Sequence, residues 1–275
     1  MVGSKVEEFK VAHQKDKPLV LLNIWNEASA NELIKNKIKL IPTGSYAMSD
    51  FYGYQDGEKM PFEEIMYVVE KINTPTNFIT VDIESGYASN LPALASTIEK
   101  IVNSGAIGIN IEDKKSNTDR LYSIEEQSKR LRCIKQKLTE INRELFINVR
   151  TDMYFMGDSA KNNQNEALLH QTIMRINAYE KTGIDGIFIP GLKNKEHIKT
   201  ITKQTTLPVN IMLDVKEDSI ADYLNSGVSR ISFGPSIYLH YNDSEKNELT
   251  TFYTSLLAEL AEYEEQERIE LFRIK

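Results

Sequence analysis

The amino-acid sequence predicts an α/β fold of the (β/α)8 TIM-barrel type. Eight short apolar runs alternate with eight amphipathic stretches, the order of a parallel barrel. Three of the stretches stop at a glycine just before the next apolar run, at Gly105, Gly183 and Gly227, a helix C-terminal signal. No Gly-x-Gly-x-x-Gly follows the first run, so the competing topology, a doubly wound dinucleotide-binding sheet, lacks its fingerprint.

The elements follow in order. Residues 1–17 are polar and amphipathic and predict an opening helix across the bottom or side of the barrel. Leu19–Ile24 predicts a strand, then a helix over Glu27–Lys37. Lys39–Thr43 predicts a second strand, followed by a loop and a helix over Pro61–Ile72. Phe78–Glu84 and a helix over Leu91–Asn103 form the third unit. Ile107–Glu112, a polar loop and a helix over Ser123–Ile141 form the fourth. Leu145–Arg150 precedes a helix over Asn165–Thr182, and Gly186–Pro190 a helix over Lys195–Lys203. Pro208–Leu213 precedes a helix over Glu217–Asn225, and Ser229–Phe233 is the last strand. The barrel domain is drawn as 1–243. Residues 244–275 form a C-terminal helical extension rather than an independent domain. In it, Leu249, Phe252, Leu256, Leu260 and Tyr263 recur at helical spacing. That stripe packs either on its own barrel or, swapped, on a partner subunit.

The composition narrows the function. With 275 residues and 41% hydrophobic content, the chain can bury a large core. A net charge of −7 argues against nucleic acid as the main partner. No apolar run is long enough to span a bilayer, so no membrane partner is expected. The N-terminus lacks the apolar stretch of a signal peptide, and a single cysteine, Cys133, excludes an internal disulfide. A cytoplasmic setting is the expectation.

A barrel of this kind carries its chemistry at the C-terminal strand ends. In the third strand, Asp82 and Glu84 share one face by strand parity, about 7 Å apart. Two such carboxylates need a positive partner, a metal ion or an arginine. The fourth strand adds Asn110 and Glu112, the fifth Asn148 and Arg150, and the seventh Asn210. The second runs into Thr43-Gly44-Ser45, a turn of small residues able to offer N–H groups to an anion. Oxygen-only acids suit Mg²⁺, which keeps several waters. Arg150 suits a substrate carboxylate, or serves only to neutralise the acids.

In this order and spacing, several blocks resemble the isocitrate lyase/phosphoenolpyruvate mutase superfamily. They are 23–30 (Asn-Ile-Trp-Asn-Glu-Ala-Ser-Ala), 53–57 (Gly-Tyr-Gln-Asp-Gly), 82–87 (Asp-Ile-Glu-Ser-Gly-Tyr), 108–114 (Gly-Ile-Asn-Ile-Glu-Asp-Lys), 148–152 (Asn-Val-Arg-Thr-Asp), 188–192 (Phe-Ile-Pro-Gly-Leu) and 207–210 (Leu-Pro-Val-Asn). The resemblance implies Mg²⁺, with Mn²⁺ able to stand in, anchored by Asp82, with Glu84 and Glu112 acting through waters. It implies that Arg150 and Asn210 hold the substrate carboxylate and that Gly44, Ser45 and Tyr46 receive its oxo-acid end. Asp56 matches an acid near the reacting centre. A homodimer or homotetramer with a swapped last helix is also implied.

The chain departs from this pattern after Glu112. The superfamily's carbon–carbon lyases carry Lys-Lys-Cys-Gly-His there, and this chain has Lys114-Lys115-Ser116-Asn117-Thr118. Cys133 lies downstream in a helical run and reads as a buried, inert thiol. Lys115 and Asn117 faintly echo the mutase branch's lid, or belong to a solvated loop. Gly86-Tyr87-Ala88 replaces the usual Gly-Tyr-Gly. The four histidines lack metal-ligand spacing, and His13 and His197 read as exposed. These features predict a lyase acting on a small 2-oxo acid through a pyruvate enolate, foremost a decarboxylase of an oxaloacetate-like substrate. Phosphoenolpyruvate mutase or phosphonopyruvate hydrolase chemistry is the alternative, and a catalytically silent oxo-acid-binding barrel a third reading.

Overall fold

A computed structural model describes residues 4–243 and 248–274. Eight parallel strands surround one axis: β1 (Leu19–Leu21), β2 (Leu40–Pro42), β3 (Phe78–Asp82), β4 (Gly108–Glu112), β5 (Phe146–Arg150), β6 (Gly186–Ile189), β7 (Val209–Met212) and β8 (Arg230–Ser232). Each pairs with its neighbour in the order β1-β8-β7-β6-β5-β4-β3-β2, and a parallel bridge between Ile24 and Thr43 joins the two ends. The fold is therefore a (β/α)8 barrel.

The helices are α1 (Lys5–Val11), α2 (Glu27–Lys35), α3 (Ser45–Phe51), α4 (Phe62–Ile72), α5 (Leu91–Asn103), α6 (Ile124–Glu140), α7 (Ser159–Asn162), α8 (Glu166–Glu180), α9 (Lys195–Gln204), α10 (Ser236–Asn242) and α11 (Leu249–Glu265). Local chemistry sets their ends. Ser123 and Glu126 form a capping box that starts α6, and Asn90 caps α5 through Ala93 N. The predicted glycine stops at Gly105, Gly183 and Gly227 all have positive φ.

Strand parity sorts the two sides of the barrel wall. Val81, Ile109, Ile111, Ile147 and Val149 are buried in the layer shared with the helices. Inside the base, Leu19, Leu21, Leu40, Phe78 and Phe146 pack with Phe9 of α1 and Phe272 of the tail. The opening helix thus plugs the bottom. Above this plug the interior turns polar. One diagonal row of register partners runs Glu112, Arg150, Phe188, Asn210, Arg230. It joins the last residue of β4 to the first of β8 because barrel strands tilt, so it descends from the mouth into the interior.

Three expectations change. The segment after Gly44 is the helix α3, not only a turn. The helix predicted over Glu217–Asn225 is a single 3₁₀ turn at Ile220–Asp222. There Asp214 accepts from the N–H groups of Lys216 and Glu217, and Asp218 accepts from Asp214 N. Side chains thus compete with the helical ladder for those amides. The extension drawn over 244–275 is helical, among the described residues, only through α11, and α10 precedes it within the barrel domain. The start expected at Ser244 lies outside the described residues. Helix α11 buries Tyr253, Leu256, Leu257 and Leu260 on its own barrel, beside α2 and with Tyr253 stacked near Trp25. Beyond it the chain returns to the base. Val20 N donates to Glu270 O at 2.9 Å and Lys39 N to Phe272 O at 3.1 Å, so residues 270–272 wedge between β1 and β2.

Candidate active site

A cavity of about 420 Å³ opens at the C-terminal ends of the strands. Gly44, Ser45, Tyr46, Asp56, Asp82 and Arg150 border it, along with Asn110 and Ser232. A smaller chamber of about 80 Å³ adjoins it and shares Ser45, Asp56 and Arg150. Glu84, Glu112, Lys115 and Asn117 line that chamber. A larger open groove of about 830 Å³ lies between α1 and α6. It sits at the N-terminal ends of the strands, the face where barrels do not place catalysis.

The sequence argument placed Asp82 and Glu84 on one strand face. The strand instead ends at Asp82, and the chain turns left-handed at Glu84 (φ 47°), Gly86 (φ 110°) and Tyr87 (φ 50°). A Cβ on Gly86 would meet Leu94 Cδ1 at 2.8 Å, so only glycine fits there. The turn sends the two carboxylates into adjoining chambers. Asp82 Oδ2 accepts from Ser45 Oγ at 3.3 Å, and Oδ1 from Glu84 N at 3.1 Å. Thr43 Oγ1 accepts from Asp82 N at 2.9 Å. Glu84 accepts from Glu58 N and Tyr87 OH, both at 2.7 Å.

Arg150 is held more firmly than expected. Its Nε and one terminal nitrogen donate to the two oxygens of buried Asp152, at 2.5 and 3.0 Å. The other terminal nitrogen lies 3.3 Å from Glu112 Oε2. One face of the guanidinium fork is therefore fixed by Asp152, while Arg150 still borders the cavity. Arg150 thus pairs with two acids and also borders the cavity. Asp152 is a residue the sequence reading quoted but gave no function. Glu58, whose carboxylate accepts from Ser85 Oγ and Tyr87 N at 2.7 Å, was also missed.

The remaining expected residues are placed as follows. Helix α3 begins at Ser45, so the first-turn amides at the cavity edge have no intrahelical acceptor. Tyr46 stands at the mouth, 40% exposed. Asn210 is a correction: it is 1% exposed and lies beneath the cavity rather than on its wall. The tilt that pairs it with Arg230, the first residue of β8, carries it down. Lys115 turns back to Glu126 Oε1 at 3.1 Å and over the Tyr122 ring. Asn117 accepts from Lys59, which ties the loop after β4 to the loop after α3. Residues 114–121 form a small hairpin, closed by the Lys114–Leu121 bridge.

Cys133 is half-buried on α6, not buried. His197 is buried, with Tyr154 OH 2.8 Å from its Nδ1. His13 is half-buried, its ring stacked on Phe146 at 4.6 Å between centroids. Amphipathic patterning missed His197 on the buried face of α9, and His13 follows the end of α1, where helical periodicity no longer applies. None of the three borders the cavity.

Burial dominates the electrostatics. It raises the Asp82 carboxyl, opposed by Arg150. It pushes Glu84 up to about 7, and it raises Glu112 against the pull of Arg150. Burial works against the Arg150 charge, but Glu112 and Asp152 more than offset it and hold the guanidinium firmly protonated. This set of crowded, desolvated carboxylates has the chemistry of a hard-cation site. Among the described residues, no three His, Cys, Asp or Glu side chains enclose an ion by themselves. The chemistry of Asp82, Glu84 and Glu112 fits a hard cation that keeps several waters.

Glu84 also sets a pH dependence. Its folded pKa of about 7 exceeds the usual 4.5. Between those values the folded chain holds a proton that the unfolded chain has released, so stability falls as pH rises through that window. Chelator-treated protein is expected to lose stability from pH 5 to pH 7, by up to about 1.4 kcal/mol per pH unit from this group. Urea denaturation at pH 5, 6 and 7 should show the loss, and Glu84→Gln should reduce its slope, the raised Glu112 and Asp82 carboxyls supplying the remainder. An unchanged slope in that variant would refute the assignment.

Comparison with known proteins is consistent with this geometry. A family model described as phosphoenolpyruvate phosphomutase matches residues 9–251. A Mycobacterium tuberculosis protein of uncharacterised function is 28% identical over 267 residues, covering 93% of this chain and 97% of its own. An oxaloacetate decarboxylase of Bradyrhizobium diazoefficiens is 26% identical over 154 residues, covering 56% of this chain and 51% of its own. Among solved structures, a phosphonomutase candidate from Burkholderia cenocepacia J2315 superposes with a TM-score of 0.82 at 34% identity, covering 88% of this chain and 97% of that one. The chain belongs to the phosphoenolpyruvate phosphomutase family.

Proposed function

We propose that the protein is a Mg²⁺-dependent lyase of a small 2-oxo acid, foremost a decarboxylase of an oxaloacetate-like substrate. The observation that carries this reading is the cavity lining. It holds acids, an arginine, amides and hydroxyls, but among the described residues bordering it there is neither cysteine nor histidine. A retro-aldol cleavage needs a positioned acid or base to manage the departing fragment. Decarboxylation needs chiefly an electron sink, because the carboxylate leaves as carbon dioxide.

A divalent cation held by Asp82 would supply that sink, as a Lewis acid toward the 2-oxo oxygen. Arg150, fixed by Asp152, binds the C1 carboxylate. The amides at the start of α3 and Ser45 Oγ orient the oxo-acid end. As the C3–C4 bond breaks, its electron pair passes to C3 and the 2-oxo group, carbon dioxide leaves, and C3 then takes a proton from water. Asp56, which borders the same cavity, would mediate that proton's delivery. The Lys59–Asn117 contact roofs the outer chamber and supports a second reading, carbon–phosphorus chemistry on phosphonopyruvate, in which a closed roof would shield the reacting group.

The test is to incubate pure protein with Mg²⁺ and oxaloacetate, phosphonopyruvate or 2-methylisocitrate and follow pyruvate. Chelator-sensitive pyruvate release from oxaloacetate alone is expected. Turnover of phosphonopyruvate alone would favour the second reading. No turnover with intact oxalate binding would mark a silent binding barrel.

A further inference from the structure

Arg230, at the start of β8, is a buried cation without an acid. It is 2% exposed, and its Nε has no partner. Among the described residues no carboxylate lies within ion-pair distance of it. Its terminal nitrogen donates to Asn110 Oδ1 at 3.3 Å. The ionisable group toward the base is neutral: burial, reinforced by Arg230 itself, pushes the stacked His13 ring down to about 3. Burial likewise lowers Arg230 to about 9, with Asp82 alone pulling the other way. Uncompensated charge is costly to bury, so this guanidinium is balanced only from the cavity side. The register partner Asn210 repeats the pattern, with a buried Nδ2 that has no acceptor.

Asn110 connects this cation to the cavity. Its Oδ1 accepts from Asn148 Nδ2 at 2.9 Å as well as from Arg230. A guanidinium has no acceptor, so the Asn110 atom facing it must be the carbonyl oxygen. The amide NH₂ therefore turns away from Arg230. Asn110 borders the cavity beside its register partner Asp82, and its NH₂ has no partner among the described residues.

We propose that Asn110 is a substrate-binding donor and Arg230 its positioning residue, together presenting an N–H, with positive charge behind it, to an anionic oxygen of the bound 2-oxo acid. This rests on the oxo-acid reading of the site. Arg230 fixes which way the amide points and polarises it; Asn110 makes the contact.

Oxalate binding in the presence of Mg²⁺, measured by calorimetry alongside thermal melting, tests the pair. Asn110→Ala is expected to weaken oxalate about 10- to 100-fold, the range of one hydrogen bond to a charged group. Asn110→Asp places a carboxylate against Arg230, so it should raise the melting temperature while weakening oxalate further. A merely structural asparagine would not move the two readouts in opposite directions. Arg230→Met should weaken oxalate as Asn110→Ala does, with partial recovery in Arg230→Lys; if the methionine variant fails to fold, the Asn110 pair still decides. Wild-type protein that binds oxalate, with Asn110→Asp and Asn110→Ala within twofold of it, overturns this proposal and leaves the oxo-acid reading standing. Wild-type protein that binds no oxalate overturns both.

Discussion

Asp82→Asn is expected to lower kcat/KM for the lyase reaction by about 10³-fold or more, without destabilising the metal-free chain. Asp82 is the buried carboxylate at the end of β3 that borders the main cavity, and the proposed function assigns it the cation. Removing its charge removes that anchor, and metal stabilisation of a developing oxyanion is worth several kcal/mol at about 1.4 kcal/mol per decade of rate. The amide keeps the shape: its oxygen can accept from Glu84 N, and its NH₂ can donate to Ser45 Oγ, whose hydroxyl turns round. Burial is the largest influence on this carboxyl, and it disfavours the charge. At pH 8 the chelator-treated variant should therefore unfold at the same urea concentration as wild type, or a higher one. Steady-state kinetics and urea titration read the two halves separately. Full activity in the variant would remove Asp82 from the mechanism, whereas lost activity together with lost stability would make it a structural acid instead.

That division between function and stability explains what could be read in advance. Periodicity and glycine stops located all eight strands because barrel strands bury apolar residues on the helix side, as Ile109, Ile111 and Ile147 do. Parity worked where strands continued: Asn110 and Arg150 do reach the cavity. It failed at Glu84, where the chain leaves the strand and a left-handed turn re-aims the carboxylate. It also failed at Asn210, because parity gives the facing but not the depth, and tilt sets the depth. Arg230 shares its parity with Ser232, which borders the cavity. What the sequence could not supply was the absence of a neighbouring acid, a property of packing between residues more than a hundred positions apart. Helix α3 was missed because Thr43-Gly44-Ser45 reads equally as a turn, and the tail's packing partner was undetermined because an apolar stripe does not name what covers it.

The largest stability effect is expected at Asp113, immediately after Glu112. It is fully buried and accepts from Thr151 Oγ1 at 2.8 Å, Tyr179 OH at 2.9 Å, Arg175 at 3.2 Å and Asp152 N at 3.1 Å. Burial raises this carboxyl, opposed first by Arg175 and then by these donors. Asp113→Ala would leave Arg175 half-uncompensated and strand several donors at once, a loss of about 3–5 kcal/mol, or a fall in Tm on the order of 10 °C. The effect should reach the active site. Asp113 holds the backbone of Asp152, and Asp152 holds the Arg150 fork. Asp113 also accounts for the base of the 114–121 hairpin, through its carbonyl bond to Tyr122 N at 2.7 Å and the Arg175 bond to Tyr122 O at 3.0 Å. A loosened Arg150 should raise KM for the oxo acid more than it lowers kcat, because the guanidinium binds the carboxylate in both ground and transition states. Asp113→Asn, which keeps the acceptor oxygen but loses the ion pair, should fall between wild type and Asp113→Ala in Tm. If Asp113→Ala melted within 2 °C of wild type, on the order of the shift from a single kcal/mol, the Asp113–Arg175 network would not be the support that ties the 114–121 hairpin to Arg150.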